Sequence, residues 1–297
     1  MDKRVLLVVN PFSGKIQAKN DLLQIIKTLC DADFQVTVHT TRGRKDATKI
    51  AEERANNFDL IVICGGDGTV NEVMAGIIRA NYQGAVGILP AGTANDFSGS
   101  LKIPRNLVKA TQLIAEGSPR PVDYGCFNKD QFFAYVASFG AFTETSYNTD
   151  QKAKNIWGPL AYIAEGFGSM GTIRPLDLEV VCDDEHFHGS FVFGAVANSL
   201  TIGGGMIKLR SEEVDLADGM HEMLLIRTPE MPGDLGAIIG NLIAEDFDPE
   251  HVLMLRGHHM EFRCEDEVPW CLDGEFAGSW KSAVIDTLPG RLNVIRP

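Results

Sequence analysis

Leu60 to Cys64 is an unbroken apolar run that ends in Gly65-Gly66-Asp67-Gly68-Thr69, after which Val70 to Ala80 carries a helical pattern. A strand that is apolar on both faces belongs to a parallel sheet covered on both sides, and parallel neighbours are joined through crossovers. That one segment restricts the chain to α/β architectures, and its surroundings obey the restriction. Val5 to Val9 is a second such strand, followed by the turn Asn10-Pro11-Phe12-Ser13-Gly14. Ile16 to Leu29 then places Leu22, Leu23, Ile26 and Leu29 on one helical face. Phe34 to His39 alternates as a strand, and Asp46 to Ala55 reads as a helix with Asp46 at its N-cap. Ala85 to Leu89 is another strand, running into Pro90-Ala91-Gly92-Thr93. The alternation predicts a doubly wound α/β domain over residues 1–120 with right-handed crossovers.

Near residue 120 the pattern changes. Short alternating runs follow at Gln131 to Ser138, Leu176 to Cys182, Gly189 to Ala197, Glu222 to Arg227, Met260 to Cys264 and Ser282 to Thr287. Helical pattern is confined to Pro159 to Met170 and Leu235 to Ala244. Residues 121–297 therefore read as a mostly β domain, and the strand-like tail Leu292 to Ile295 is free to pair with either domain. A length of 297 residues with 44% hydrophobic and 23% charged suits two globular domains. With 27 basic and 40 acidic side chains the net charge is −13, which excludes a general nucleic-acid binder and disfavours broad adhesion to anionic membranes. The six cysteines show no CxxC spacing and read as reduced core thiols. No apolar run is long enough to span a bilayer, and Met1 to Asn10 leads straight into strand-like sequence with no leader pattern, so a cytoplasmic protein is expected.

The turn at 65–69 joins a buried strand to a helix, so backbone N–H groups and the helix N-terminus face one point, an anion site suited to phosphate. Asp67 would repel a phosphate directly and makes sense if it works through a metal ion or a water network. Two more strand ends carry similar chemistry, at Asn10 to Lys15 and at Gly92-Thr93-Ala94-Asn95-Asp96-Phe97. In open α/β sheets ligands bind at the carboxyl ends of the strands, where all three turns fall. Further on, Asp273-Gly274-Glu275 offers two carboxylates that, on an extended segment, share a side and could accept a proton from an alcohol. By itself an Asp-Gly turn between strands is an ordinary hairpin.

Together, Asn10-Pro11-x-Ser13-Gly14-Lys15, the run GGDGTVNEV from Gly65 to Val73 and GTANDF from Gly92 to Phe97 resemble the diacylglycerol kinase catalytic family. The resemblance is to its soluble bacterial lipid kinases, relatives of sphingosine and ceramide kinases. Gly203-Gly204-Gly205-Met206, Asp218-Gly219 and Leu272-Asp273-Gly274-Glu275 extend it in order along nearly the whole chain. The glycine turn is shared with NAD kinases and phosphofructokinases, whereas Asn71-Glu72 and Gly92-Thr93-x-Asn95-Asp96 are similar to the lipid kinases.

The resemblance implies an α/β nucleotide domain and a β-sandwich-like domain, with ATP and Mg²⁺ as cofactors and a lipid hydroxyl, first of all diacylglycerol, as acceptor. It assigns Asn10, Gly65, Gly66, Asp67, Gly68, Thr69, Asn71 and Thr93 to the ATP phosphates and ribose. Thr41 (or the adjacent Thr40) lies near the nucleotide. Asp67 and Asp96 belong to a carboxylate network around magnesium, with Asn95 beside them on the substrate side, and Asp218 through its side chain, with the carbonyls of Asp215 and Met220, holds a structural metal. Glu212 and Val214 depart from the Pro and Ala usual there. The base lies in the Asp273–Glu275 turn, with either acid eligible. A sphingoid lipid or NAD as acceptor, or a non-catalytic nucleotide- or lipid-binding regulator, are the alternatives. Peripheral membrane contact, through the aromatic turn Ile156-Trp157-Gly158-Pro159-Leu160, and a homodimer are both admitted. The pairs His258-His259 and His186-x-His188 read as solvated, and Arg42, Arg44, Lys45 and Lys49 as a local basic cluster facing solvent, ATP or a head group.

Overall fold

A computed structural model describes residues 3–13, 17–140, 174–202, 207–209, 214–231 and 233–297. The helix expected over Pro159 to Met170, the aromatic turn at 156–160, the glycine run at 203–206, and Gly14 and Lys15 lie outside these residues. The chain forms two compact units, Met1–Tyr124 with Pro289–Pro297, and Gly125–Leu288.

The first unit runs β1 (Lys3–Val9), α1 (Gln17–Asp31), β2 (Phe34–Thr40), α2 (Asp46–Arg54), β3 (Leu60–Gly65), α3 (Asp67–Arg79), β4 (Ala85–Pro90), α4 (Asp96–Ser100) and α5 (Leu107–Glu116). Its strands pair in parallel in the order β2-β1-β3-β4, with Val5 opposite Leu60 and Leu60 opposite Ala85. Val5 to Val8 and Ile61 to Ile63 are wholly buried, as their unbroken apolar runs require. α1 packs with α5 and α2 with α3, giving the two helix layers of a doubly wound fold. Two boundaries differ from the sequence pattern. α3 starts at Asp67 instead of Val70, because extended Gly66 (φ −92°, ψ −176°) is its N-cap and the Val70 N–H already donates to Gly66 O at 3.0 Å. An acid in the first turn also suits the positive end of the helix. α2 has Lys45, not Asp46, at its N-cap, in the left-handed region.

The chain leaves this unit along β5 (Pro119–Phe127). The second unit then holds β6 (Gln131–Phe133), β7 (Val136–Gly140), β8 (Leu176–Cys182), β9 (Glu185–Ala197), the two-residue strands β10 (Thr201–Ile202) and β11 (Ile207–Lys208), β12 (His221–Arg227), α6 (Asp234–Ala244), β13 (Val252–Gly257) and β14 (His259–Leu272), and most of β15 (Glu275–Ile295). Antiparallel pairing runs β13-β12-β9-β7-β14-β15, with β8 between β9 and β14. β8 alternates buried and exposed positions, as its sequence does. Trp270 is the centre of the core, with the rings of Phe127, Phe139 and Phe262 at 5.1, 4.7 and 5.1 Å. The run Gln131 to Ser138, expected as one strand, is divided at Ala134 and Tyr135, for a reason that lies in the site.

The end of β15 belongs to the first unit, where Asn293 and Val294 pair in parallel with Ala85 and Val86 of β4. The Arg291 guanidinium donates to the carbonyls of Ile78 and Tyr82 at 3.1 and 3.2 Å, satisfying acceptors at the end of α3. Leu292 is 1% exposed, so Leu292→Ala should cost about 2–5 kcal/mol, read as a shift of the denaturant midpoint.

Candidate active site

With β1 beside β3 at the centre of the sheet, the connections leaving them run in opposite directions. That is the switch point at whose carboxyl ends α/β folds open a crevice. The turns after β1 and β3 are locked together there. The Asn10 N–H donates to Cys64 O at 2.9 Å, its Nδ2 donates to Thr69 Oγ1 at 2.8 Å, and the Gly66 N–H donates to Ser13 Oγ at 3.3 Å. The turn after β4 joins them through the Ala91 N–H, which donates to Gly65 O at 2.9 Å. A Cβ on Gly92 would run into Gly66 Cα, so this meeting of turns needs glycine on its own account.

Asp67 fixes the third turn. Its Oδ2 accepts the Asn95 N–H at 2.8 Å and its Oδ1 the Phe97 N–H at 3.3 Å. Asn95, left-handed at φ 57°, closes its own loop by accepting from Gly92 N–H at 2.9 Å and donating to Gly92 O at 2.8 Å. Asp96 opens α4 directly after it. One bond per carboxylate oxygen leaves Asp67 further lone pairs for a metal-bound water. Asn71 Oδ1 accepts the Tyr124 hydroxyl at 2.8 Å; Tyr124 is a partner that no motif or spacing announces. Thr41 is buried, its N–H donating to Val9 O at 2.9 Å at the end of β1, while Thr40 still belongs to β2. Thr93 is exposed in the third turn.

Gly68 has a different status. It is exposed, helical, and has no atom within 4 Å of where a Cβ would stand. Glycine in a helix costs roughly 1 kcal/mol relative to alanine, and nothing in the chain's own packing asks for it here. The open space lies at the N-terminus of α3, where backbone N–H groups lack helical partners and favour an anion. Cys64, the last apolar residue before the turn, is no competing nucleophile, because burial pushes its thiol up to about 11.

In the second unit, Asp273 and Gly274 form the two-residue turn between β14 and β15, with φ of 49° and 87°. The segment is therefore not extended, and the two acids part company. Asp273 is 5% exposed; its Oδ2 accepts the Ala134 N–H at 2.6 Å and its Oδ1 those of Tyr135 and Val136 at 3.0 Å each. Those donors are lost to any strand ladder, which is why β6 and β7 are separate. Glu275 is exposed.

The loop at 214–220 is tied internally, with Asp215 Oδ1 accepting the Ala217 N–H at 3.1 Å and Asp218 Oδ1 the Met220 N–H at 3.0 Å. The other Asp218 oxygen is paired with the Arg256 guanidinium, whose Nε is 3.6 Å from Glu222 Oε1, and Gly219 O meets His258 Nδ1 at 2.8 Å. Among the described residues no cluster of three His, Cys, Asp or Glu is arranged for a metal. His259 is engaged by Asp286 and Glu261 at 2.6 and 3.2 Å. No helix among the described residues is long and apolar enough to cross a membrane.

Comparison with known proteins covers both units. Residues 4–127 match the diacylglycerol kinase catalytic domain, and residues 136–296 match the YegS C-terminal NAD kinase beta sandwich-like domain. The diacylglycerol kinase of Bacillus subtilis (strain 168) is 30% identical over 99% of this chain and 97% of its own length. That of Staphylococcus aureus (strain MRSA252) is 31% identical over 94% of this chain and 88% of its own. A crystal structure of a diacylglycerol kinase from Bacillus anthracis str. Sterne superposes with a TM-score of 0.79 at 25% identity, covering 99% of this chain and 97% of that one.

The unequal environments of the two acids have a measurable consequence. Asp273→Ala removes the acceptor of three backbone N–H groups and should cost about 3 kcal/mol or more in stability, whereas Glu275→Gln should stay within about 0.5 kcal/mol of the parent; thermal melts of the two variants decide this.

Proposed function

The chain belongs to the diacylglycerol kinase family, and on that premise we propose that it transfers the γ-phosphate of Mg²⁺-bound ATP to the hydroxyl of diacylglycerol, giving phosphatidic acid and ADP. The observation that carries the reading is the meeting of three polar turns at the carboxyl ends of β1, β3 and β4, with space left open at Gly68. Gly65 to Asn71, Asn10, Thr41 and Thr93 are assigned to the nucleotide, whose phosphates the orphan N–H groups of α3 would receive. Bound magnesium would supply charge neutralisation on the phosphates. Asp67, whose oxygens keep lone pairs beyond their two backbone bonds, and Asp96 are assigned to its water shell.

Glu275 is the base in this reading. Transfer to an alcohol requires that its proton go to an acceptor as the bond to phosphorus forms. Asp273 holds three backbone donors and its role is to fix the turn that presents Glu275. The acceptor is a membrane lipid, so we place the protein in the cytoplasm with peripheral contact to the inner membrane face. The 215–220 loop takes no part in the transfer step. The names of the relatives support diacylglycerol over a soluble acceptor, and the NAD kinase likeness of the second domain makes NAD the acceptor to test against it.

The test is transfer of labelled γ-phosphate to diacylglycerol, ceramide, sphingosine and monoacylglycerol in mixed micelles, with NAD in a micelle-free tube. Labelled phosphatidic acid is expected; label on NAD alone would overturn the assignment. Glu275→Gln should lower kcat by about 10²-fold or more without changing the melting temperature. Gly68→Ala should raise KM for ATP while stability holds or rises by up to about 1 kcal/mol, a combination that only a ligand filling the open space produces.

A further inference from the structure

The loop after β2, Thr41-Arg42-Gly43-Arg44-Lys45, ends on a residue that is not glycine yet lies in the left-handed region, Lys45 at φ 64° and ψ 0°. Such a conformation costs free energy and persists only where its surroundings over-determine it. What holds it is Glu72, whose Oε1 accepts the Lys45 N–H at 2.9 Å. Glu72 stands on α3 little more than one turn beyond the glycine turn. One further turn along, Gly76 is so close to α2 that a Cβ there would strike Thr48 O, so the two helices are seated firmly against each other.

The near end of the loop is pinned separately. Asp46 Oδ2 accepts the Arg42 N–H at 2.9 Å and meets His39 Nε2 at 3.1 Å, and the Thr41 N–H is bonded to Val9 O. These partners, the Arg42 N–H before His39, hold the Asp46 carboxyl below its ordinary range. Between the two pins, Arg42, Arg44 and Lys45 are exposed in a chain whose net charge is −13. An acid this close to a phosphate-binding helix end opposes the ligand's charge unless it does something in return. The geometry points to that return.

We propose that Glu72 is a positioning residue for the nucleotide, latching the basic loop 41–45 to the helix of the glycine turn so that Thr41 and the loop's cations are held in register with the triphosphate. The inference rests on the nucleotide reading above and adds to it the part played by an acid that touches no substrate.

The test compares wild type with Glu72→Ala, Glu72→Gln and Glu72→Asp in steady-state phosphoryl transfer with ATP varied, together with hydrogen exchange at the Lys45 amide. In Glu72→Ala, KM for ATP should rise about tenfold, the loss of one charge-assisted hydrogen bond, with kcat within about twofold and the Lys45 amide exchanging faster. Glu72→Gln keeps an oxygen that can accept the N–H and should restore most of the KM. Glu72→Asp keeps the charge but withdraws the oxygen by one methylene, and should resemble Glu72→Ala; should Glu72→Ala fail to fold, the Gln and Asp pair alone decides. Equal losses in Gln and Ala would make charge the cause and overturn the latch, as would an unchanged KM in Ala or Asp once the amide is deprotected. A wild type that binds no ATP would instead sink the nucleotide reading, and the latch with it.

Discussion

Gly66 and Gly92 approach so closely that a Cβ on Gly92 would strike the Gly66 backbone and one on Gly66 would crowd Gly92, and the candidate nucleotide site is organised by that contact between two backbones. Bringing two turns this near places peptide dipoles, not side chains, at the carboxyl ends of β3 and β4. It also leaves polar backbone groups that need partners. Asn95 satisfies two of them on Gly92, Ser13 receives the Gly66 N–H, and the Asn10 amide reaches Thr69. Asn10, Ser13, Asp67 and Asn95 are explained first as fasteners of these turns, and the surface they leave open is the N-terminus of α3.

The acids divide in the same spirit. Asp67 holds the turn at Asn95 and Phe97, Asp46 holds Arg42, Glu72 holds Lys45, and Asp273 holds Ala134 to Val136. Carboxylates that accept backbone N–H groups give strong, directional bonds and fix loops that have no regular ladder of their own. Glu275 differs in being exposed at a turn whose shape a neighbouring acid already secures. Two carboxylates two residues apart thereby stand in different environments, one buried among backbone donors and one exposed.

The fold class could be read from Leu60 to Thr69 because burial on both faces and glycine at a strand end are local signals. Alternation likewise revealed β8, whose side chains meet core and surface in strict turn. Other features depended on partners that local pattern does not contain. The division between β6 and β7 is caused by Asp273, 137 to 139 residues further on. Arg256 reaches Asp218 across the second unit, and Tyr124 finds Asn71 from the far end of the first. α3 starts three residues before its apolar periodicity for a local reason, since a glycine-rich run reads as turn although Asp67 and Thr69 are suited to a first helical turn. The tail's strand propensity was plain, but its partner β4 is chosen by an edge that only the assembled sheet possesses.

A chain with 40 acids and 27 bases has to hold a polyanion against its own long-range field. Steering by net charge is closed to it, so recognition has to act at short range. Oriented N–H groups do that, because their dipoles fall off quickly and cost no reorganisation once the turn is built. Close approach then becomes the limiting requirement, and Gly68 is the glycine of the turn that faces open space. The few cations near the site gain value in proportion as they are held in place, since a solvated arginine contributes little through salt-screened water. A loop that carries Arg42, Arg44 and Lys45 is worth anchoring at both ends for that reason, and the anchors are acids, which the chain has in excess. The negative balance that sets the difficulty also supplies the groups that resolve it.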